Sequence, residues 1–399
     1  LREAISYGLP IIARNLPQYE DMFTPYLQPM DTDLNTIEAN YSVPTDNDSN
    51  NFGARHVDMY NMLCKKPVMK QPPGKISIHQ HFVEQPFLEI KGMSTKKYTI
   101  NFYEPDGKPY YSNVISANCW VKLNRSYYTT WITKIWEDDT VIYQNVLSLD
   151  DKRVYISFDS SSLGDSIAWI PYCLEFKKKH NCHVIVSTFK NFLFKDVYPE
   201  LEFVEPGTSV FNIYAQYKIG WFYNPDKEPA LPNTVNLQEC ATNILGLDYQ
   251  EIKPRISYEI GDNLYGKYVT IATNSTAGCK FWTKEGWQEV INFLHENGYT
   301  VVNTSKEKNP FDNCIQIEDV SIENTMNVIH HSHLFIGLSS GLSWLAWAMN
   351  KKVVMISNFT EDNHEFECIR ITNKNVCHGC WNKPEFKFDK GDWNWCPIN

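Results

Sequence analysis

Beyond Arg153 the chain alternates short β-branched runs with longer helical stretches, and this alternation restricts the fold more than any other feature. Val154–Phe158 reads as a buried strand, residues 167–179 as a helix and His183–Ser187 as the next strand. Parallel strands covered on both faces are apolar almost throughout, and their crossovers require a helix. A second such unit opens at Tyr268–Ala272, continues through a helix over 284–297, and runs on to strands at Thr300–Asn303, 334–336 and Val353–Ile356. Two units joined near residues 252–260 predict an α/β protein with two Rossmann-like lobes and a cleft between them. Ligands in such folds bind at the carboxyl ends of the strands.

The flanking regions read differently. Residues 75–150 hold short β-branched and aromatic runs, such as Lys97–Tyr103, separated by turn signals such as Pro105-Asp106-Gly107. That spacing predicts a small β-barrel domain. Residues 1–74 end in two breaks, a polar stretch over 31–53 and Gln71-Pro72-Pro73-Gly74, and read as an upstream remnant and linker. The first residue is Leu rather than Met and no signal-peptide pattern follows, so an upstream segment is expected. With a full length of 399 residues, more than one domain is the expectation. A net charge of -10 argues against a nucleic-acid partner, because phosphate backbones are bound by basic surfaces. An uncharged run of 16 residues over 334–349 contains Gly337, Ser339, Ser340, Gly341 and Ser343 and is too short for a bilayer span.

Three motifs fall where strand ends meet the expected cleft. In Ser161-Ser162-Leu163-Gly164-Asp165, the aspartate opens a helix, either as its N-terminal cap or as a general base facing the cleft. After the strand at Tyr268–Ala272 comes a small polar segment with Thr273, Thr276 and Lys280, then Trp282. Its backbone N–H groups and ammonium suit a diphosphate, although a solvated polar loop has the same composition. The third motif, Ser339-Ser340-Gly341-Leu342-Ser343, is a strand-to-helix turn that suits either phosphate approach or close helix packing. A hydrolase is disfavoured, since the chain has no His-Glu-x-x-His run and His330-His331-Ser332-His333 lacks a matching carboxylate.

Cys368, Cys377, Cys380 and Cys396 form a C-x8-C-x2-C-x15-C array near the end of the sequence. Two thiolates three residues apart can grip one ion from a single turn, and two more complete a tetrahedral shell. The physical choice is zinc first and iron second, with disulfide pairing or unrelated buried thiols as the alternatives. The other seven of the 11 cysteines are scattered singly, as in a reducing compartment, so a cytoplasmic location is expected.

Asp165 in Leu-Gly-Asp, Lys280 in Lys-Phe-Trp followed by Trp287, and Gly341-Leu342-Ser343 resemble the ADP-heptose-dependent heptosyltransferases of the GT-B fold. The phrases Phe203-Val204-Glu205-Pro206-Gly207-Thr208, Val376-Cys377-His378-Gly379-Cys380 and Gly391-Asp392-Trp393-Asn394-Trp395-Cys396 are similar to the bacterial autotransporter heptosyltransferases, over roughly 75–399. The resemblance implies a β-barrel at 75–150, an acceptor-side lobe at 151–255, a nucleotide-sugar lobe at 256–360 and a metal finger at 361–399. It implies transfer of a heptose from an ADP-sugar to serine hydroxyls of an autotransporter adhesin, in the bacterial cytoplasm. Asp165 takes the general-base position, Lys280 neutralises the diphosphate, and Thr273, Thr276, Trp282 and Ser339 to Ser343 line the nucleotide-sugar site. Cys368, Cys377, Cys380 and Cys396 take the places of ligands to a structural iron, within a homo-oligomer as large as a dodecamer. Helix ends and a lysine stand in for a divalent cation, so no catalytic metal is expected. In the broader pattern an acidic residue precedes a Thr-Gly-Leu-Ser-His turn, whereas Ser339 and Trp344 hold the corresponding places here. Residues 1–40, with Glu3, resemble the closing piece of a retaining glycosyltransferase domain.

Overall fold

The computed structural model describes residues 75–386, apart from 222, 309 and 310, together with Cys396 and two short strands near the start. Those two, β1 (Ile11–Ile12) and β2 (Leu27–Gln28), pair in parallel within a first unit, Leu1–Pro72. The remaining readings for 1–74 lie outside the described residues. Everything below concerns the second unit, Pro73–Asn399.

Seven strands come first: β3 (Ile76–His81), β4 (Phe87–Gly92), β5 (Lys97–Tyr103), β6 (Pro109–Ser116), β7 (Cys119–Lys122), β8 (Ile132–Glu137) and β9 (Thr140–Val146). The period-2 pattern of β5 buries Tyr98, Ile100 and Phe102 and leaves the intervening residues nearer solvent. The Asp106-Gly107 turn closes the β5–β6 hairpin, with Gly107 at φ 85° and its N–H donating to Glu104 O at 2.9 Å. Rather than one closed barrel, the strands form two antiparallel sheets, β3-β4-β7 and β6-β5-β8-β9. Among the described residues no ladder joins them. Leu88, Ile90, Ile100, Phe102 and Ile135 from both sheets enter one shared core, and face-to-face packing hides the apolar sides without closure.

The first α/β lobe is a four-stranded parallel sheet in the order β12-β11-β10-β13, built from β10 (Arg153–Phe158), β11 (His183–Ser187), β12 (Glu202–Phe203) and β13 (Ala215–Ile219). Helices α1 (Leu163–His180) and α2 (Leu237–Leu245) pack on it, and Trp169 Nε1 donates to Leu237 O at 2.8 Å between them. Asn181 at φ 47° ends α1 in the left-handed conformation that asparagine tolerates. The second lobe is a six-stranded parallel sheet, β16-β15-β14-β17-β18-β19. Its strands are β14 (Tyr268–Ala272), β15 (Thr300–Asn303), β16 (Cys314–Gln316), β17 (Phe335–Leu338), β18 (Val353–Ile356) and β19 (Ile369–Ile371), with α3 (Lys284–Glu296), α4 (Ile322–His331) and α5 (Gly341–Ala348) covering it. Every residue of β14 is buried, as expected for a central parallel strand.

The lobes meet along α1 and α5 and are laced together by the segment that follows β18. Asn236 Nδ2 donates to Asn363 O at 2.8 Å and to Glu365 O at 3.1 Å, and Leu237 N–H donates to His364 O at 2.9 Å. Asn382 Nδ2 donates to Asn233 O at 2.7 Å. No helix among the described residues is long and apolar enough to cross a membrane.

Candidate active site

Ser162 occupies the N-cap position of α1, so Asp165 is not the cap. Its carboxylate is free for another role. The side chain is 7% exposed, and Oδ2 accepts a 2.6 Å hydrogen bond from the Trp221 indole just beyond β13. Burial pushes its carboxyl up, while hydrogen bonds from Ser160, Trp221 and Ser162 and the charge of Lys280 pull it back. A carboxylate so placed holds its charge at modest cost and gains basicity from its dry surroundings, which is what proton abstraction from a hydroxyl needs.

Lys280 reaches the same region from the second lobe. It ends a 3₁₀ turn, Gly278–Lys280, beyond β14. Nζ donates to Ser339 O at 3.0 Å and stands 4.9 Å from the centre of the Phe359 ring. Burial pushes its ammonium down, and Glu365, Cys279 and Asp165 push it back up. A partly desolvated cation at strand ends, beside the start of a helix, suits a leaving diphosphate.

The family model described as "Glycosyltransferase family 9 (heptosyltransferase)" matches residues 168–392. This chain belongs to glycosyltransferase family 9. It is 34% identical to the autotransporter heptosyltransferase Aah of Escherichia coli over 70% of this chain and 76% of Aah. It is 30% identical to the inactive autotransporter heptosyltransferase BimC of Burkholderia thailandensis, over 69% of this chain and 70% of BimC. The crystal structure of TibC from enterotoxigenic E. coli, an iron-containing dodecameric glycosyltransferase, superposes with a TM-score of 0.74 at 27% identity. That match covers 84% of this chain and 91% of TibC, and TibC has also been solved with ADP-D-β-D-heptose. The chain is a glycosyltransferase of mixed α/β, GT-B-like fold.

The other residues expected in this family 9 site divide by what their side chains do. Thr273 is buried, its hydroxyl donating to Asn274 Oδ1 at 2.7 Å. Ser343 is buried too, and its hydroxyl donates to Leu338 O at 2.6 Å, closing the turn. Ser339 gives its hydroxyl to Glu365. All three hydroxyls are taken up within the protein, that of Ser343 by backbone and those of Thr273 and Ser339 by side chains. Ser340 is the N-cap of α5, and its Oγ has no hydrogen-bond partner among the described residues. Gly341 and Leu342 open that helix and are half-buried, whereas Thr276 and Trp282 are exposed.

Sequence reasoning missed Trp221, His364, Glu365 and Trp381. Glu365 is 4% exposed and accepts hydrogen bonds from Ser339, from Thr360 Oγ1 at 3.0 Å and from Arg370 Nη1 at 2.8 Å. It therefore brings a carboxylate to Ser339 from a neighbouring loop. Trp344, which stands where the broader pattern has histidine, is buried against Trp347 and Phe366. The available signal for Trp221 was its place two residues beyond a strand end, whereas Glu365, in the polar stretch Asn363-His364-Glu365-Phe366-Glu367, carried none.

The four expected metal ligands are not brought together as one set. Cys380 has Cys377, Cys396 and Cys279 as its thiol neighbours, and burial pushes it up. Cys368 has Arg370, Glu365 and Glu251 as its charged neighbours and is pushed up to about 11 by burial. Among the described residues no group of three or more His, Cys, Asp or Glu side chains has the geometry to hold a metal ion. The arrangement does not fit a closed four-cysteine site, and no chemical step is derived from one.

Proposed function

We propose that this enzyme transfers a heptose from ADP-heptose to serine hydroxyls of an autotransporter passenger by an inverting displacement. Asp165 takes the proton from the acceptor serine as its oxygen attacks the anomeric carbon. The bond from that carbon to the phosphate oxygen breaks, and ADP leaves toward Lys280 and the N-terminus of α5. The observation that carries this reading is the approach of Asp165 and Lys280 from opposite lobes, close enough that each shifts the other's protonation. Lys280 and the helix start take the place of a divalent cation. The similarity to Aah and to TibC supports the donor, the autotransporter acceptor and an iron-bearing homo-oligomer as large as a dodecamer, and a cytoplasmic site of action is part of this reading. In this reading residues 151–255 serve the acceptor and residues 256–360 the nucleotide sugar.

The test is transfer from a nucleotide-sugar panel led by ADP-heptose to a serine-rich passenger, read by intact mass. A heptose increment that falls by roughly 10²- to 10⁴-fold in Asp165→Asn is the expected result. Nucleotide release without a protein increment would redirect the acceptor to a saccharide or lipid-linked sugar. Neither release nor increment would leave a noncatalytic assembly partner.

A further inference from the structure

Trp381 belongs to the cysteine-bearing C-terminal segment, in the 3₁₀ turn Cys380–Asn382, yet its ring lies inside the catalytic region. One side meets Trp221 edge-on, with ring centres 5.3 Å apart, and Trp221 is the indole that donates to Asp165. The other side meets Phe359 at 5.6 Å, and Phe359 is the ring under the Lys280 ammonium. The backbone around Trp381 is pinned on both sides of the cleft. Its N–H donates to Phe359 O at 3.0 Å, and its carbonyl accepts from Asn233 Nδ2 at 2.8 Å. His364 completes the cluster, 6.3 Å from both indoles.

We infer that Trp381 is a positioning residue that fixes the base and the diphosphate-binding lysine relative to each other, acting on Asp165 through Trp221 and on Lys280 through Phe359. This rests on the reading of Asp165 as the general base. An indole can donate from only one atom, so the orientation of Trp221 decides whether its N–H meets the carboxylate. Trp221 stands against Trp169, His364 and Trp381, and of these His364 and Trp381 are supplied by the C-terminal segment, Trp381 at the shorter ring distance. A displacement of about 1 Å in a catalytic group can cost roughly a hundredfold in rate, so a ring wedged between two such supports carries a measurable share of catalysis. The cysteine segment thereby bears on the chemistry as well as on assembly.

A double-mutant cycle on the single-turnover transfer rate tests this, using Trp221→Phe, Trp381→Leu and the pair. Each single change is expected to slow transfer roughly tenfold, the equivalent of one lost hydrogen bond or aromatic contact, and the pair to be slower than Trp221→Phe by clearly less than the loss from Trp381→Leu alone, since only the route through Phe359 remains to be lost. The pH profile gives the readout that a merely structural role would not move. The titratable groups acting with Asp165 are Lys280 on its 3₁₀ turn and Cys240 on α2, and both remain in every variant. Trp221→Phe removes the donor and leaves the burial, so the acid limb moves to higher pH. Trp381→Leu should move it the same way. Equal rate losses from Trp381→Leu in both backgrounds, or an unmoved acid limb, would overturn the inference. Should the leucine variant not fold, Trp381→Phe carries the same cycle with a smaller ring. Full transfer by Asp165→Asn would instead remove the base reading and the inference with it, so the two failures are told apart.

Discussion

Gly164 and Gly341 bring the first turns of α1 and α5 into backbone contact. A β-carbon on Gly341 would stand 3.1 Å from the Gly164 nitrogen and 3.1 Å from Leu163 Cβ, and one on Gly164 would lie 3.4 Å from Gly341 Cα. Gly164 comes from the first lobe and Gly341 from the second, so the closeness of the two lobes at this point depends on both lacking a side chain. Gly341→Ala must push the helix starts apart by a few tenths of an ångström, and over-packing of this kind typically costs about 1–3 kcal/mol. The expected outcome is a lower Tm with a raised KM for the nucleotide sugar. An unchanged KM and Tm would mean that the helices slide freely at this contact.

Lys280 yields a prediction with a defined sign. Burial lowers its ammonium below the ordinary 10.5, with Glu365, Cys279 and Asp165 opposing. The charged form is the useful one, so the alkaline limb of the kcat profile should lie below the range of an exposed lysine. Lys280→Met keeps the length, removes the charge and should lower kcat by roughly 10²- to 10³-fold, as loss of a preorganised charge stabiliser does. Full activity in that variant, or an alkaline limb with no dependence on residue 280, would assign diphosphate stabilisation elsewhere.

Strand positions were largely legible because the central parallel strands are apolar throughout: Tyr268–Ala272 was anticipated from its run of buried residues and lies in the middle of its sheet. The β region was legible as strands, but its closure was not. Whether seven strands close or split depends on how Phe102 and Leu88 pack face to face, which no local pattern records. In the site, each motif alone also fits a helix cap, a solvated loop or close packing, and it was their order, one in the first lobe and two in the second, that stood out. Their supports did not. Trp221, Glu365 and Trp381 act through contacts with residues 56, 26 and 160 positions away, where 381 minus 221 gives the last. Spacing within a motif carries nothing of such partners. The same limit applies to Ser343 and Thr273, whose hydroxyls turn back into the protein, onto Leu338 O and Asn274 Oδ1.

His180 gives the chain an acid-sensitive point away from the cleft. It closes α1 with its ring 4.5 Å from Tyr128 and 4.4 Å from Phe176, and its Nε2 is buried with no partner among the described residues. Burial, with the nearby Lys179 adding, pushes it down from 6.5 to about 4. The folded value lies below the unfolded one, so the unfolded chain takes up the proton first. Stability from the neutral ring is present in full above about pH 6.5 and is lost as pH falls toward about 4. Tm should therefore drop across that window, and His180→Gln should flatten the drop. A profile identical in the variant would place the acid sensitivity in other groups.

The cysteines divide three against one, and metal content tests the division. Cys377 and Cys396 are the C-terminal thiols that neighbour Cys380, whereas Cys368 is held near the charged groups Arg370, Glu365 and Glu251. Burial raises Cys368, and Glu365 and Glu251 add to this against the opposing charge of Arg370, so its thiol ionises less readily for a metal. If iron resides in this segment, Cys377→Ser and Cys380→Ser should lose most of the metal found by elemental analysis, while Cys368→Ser should retain it. Because Trp381 follows Cys380 directly, the two metal-depleting variants should also slow single-turnover transfer, and Cys368→Ser should leave that rate within about twofold, the spread expected between uncoupled sites. Equal metal loss from Cys368→Ser would restore the four-cysteine array that the spacing alone suggests. Metal loss without any change in rate would confine the ion to assembly.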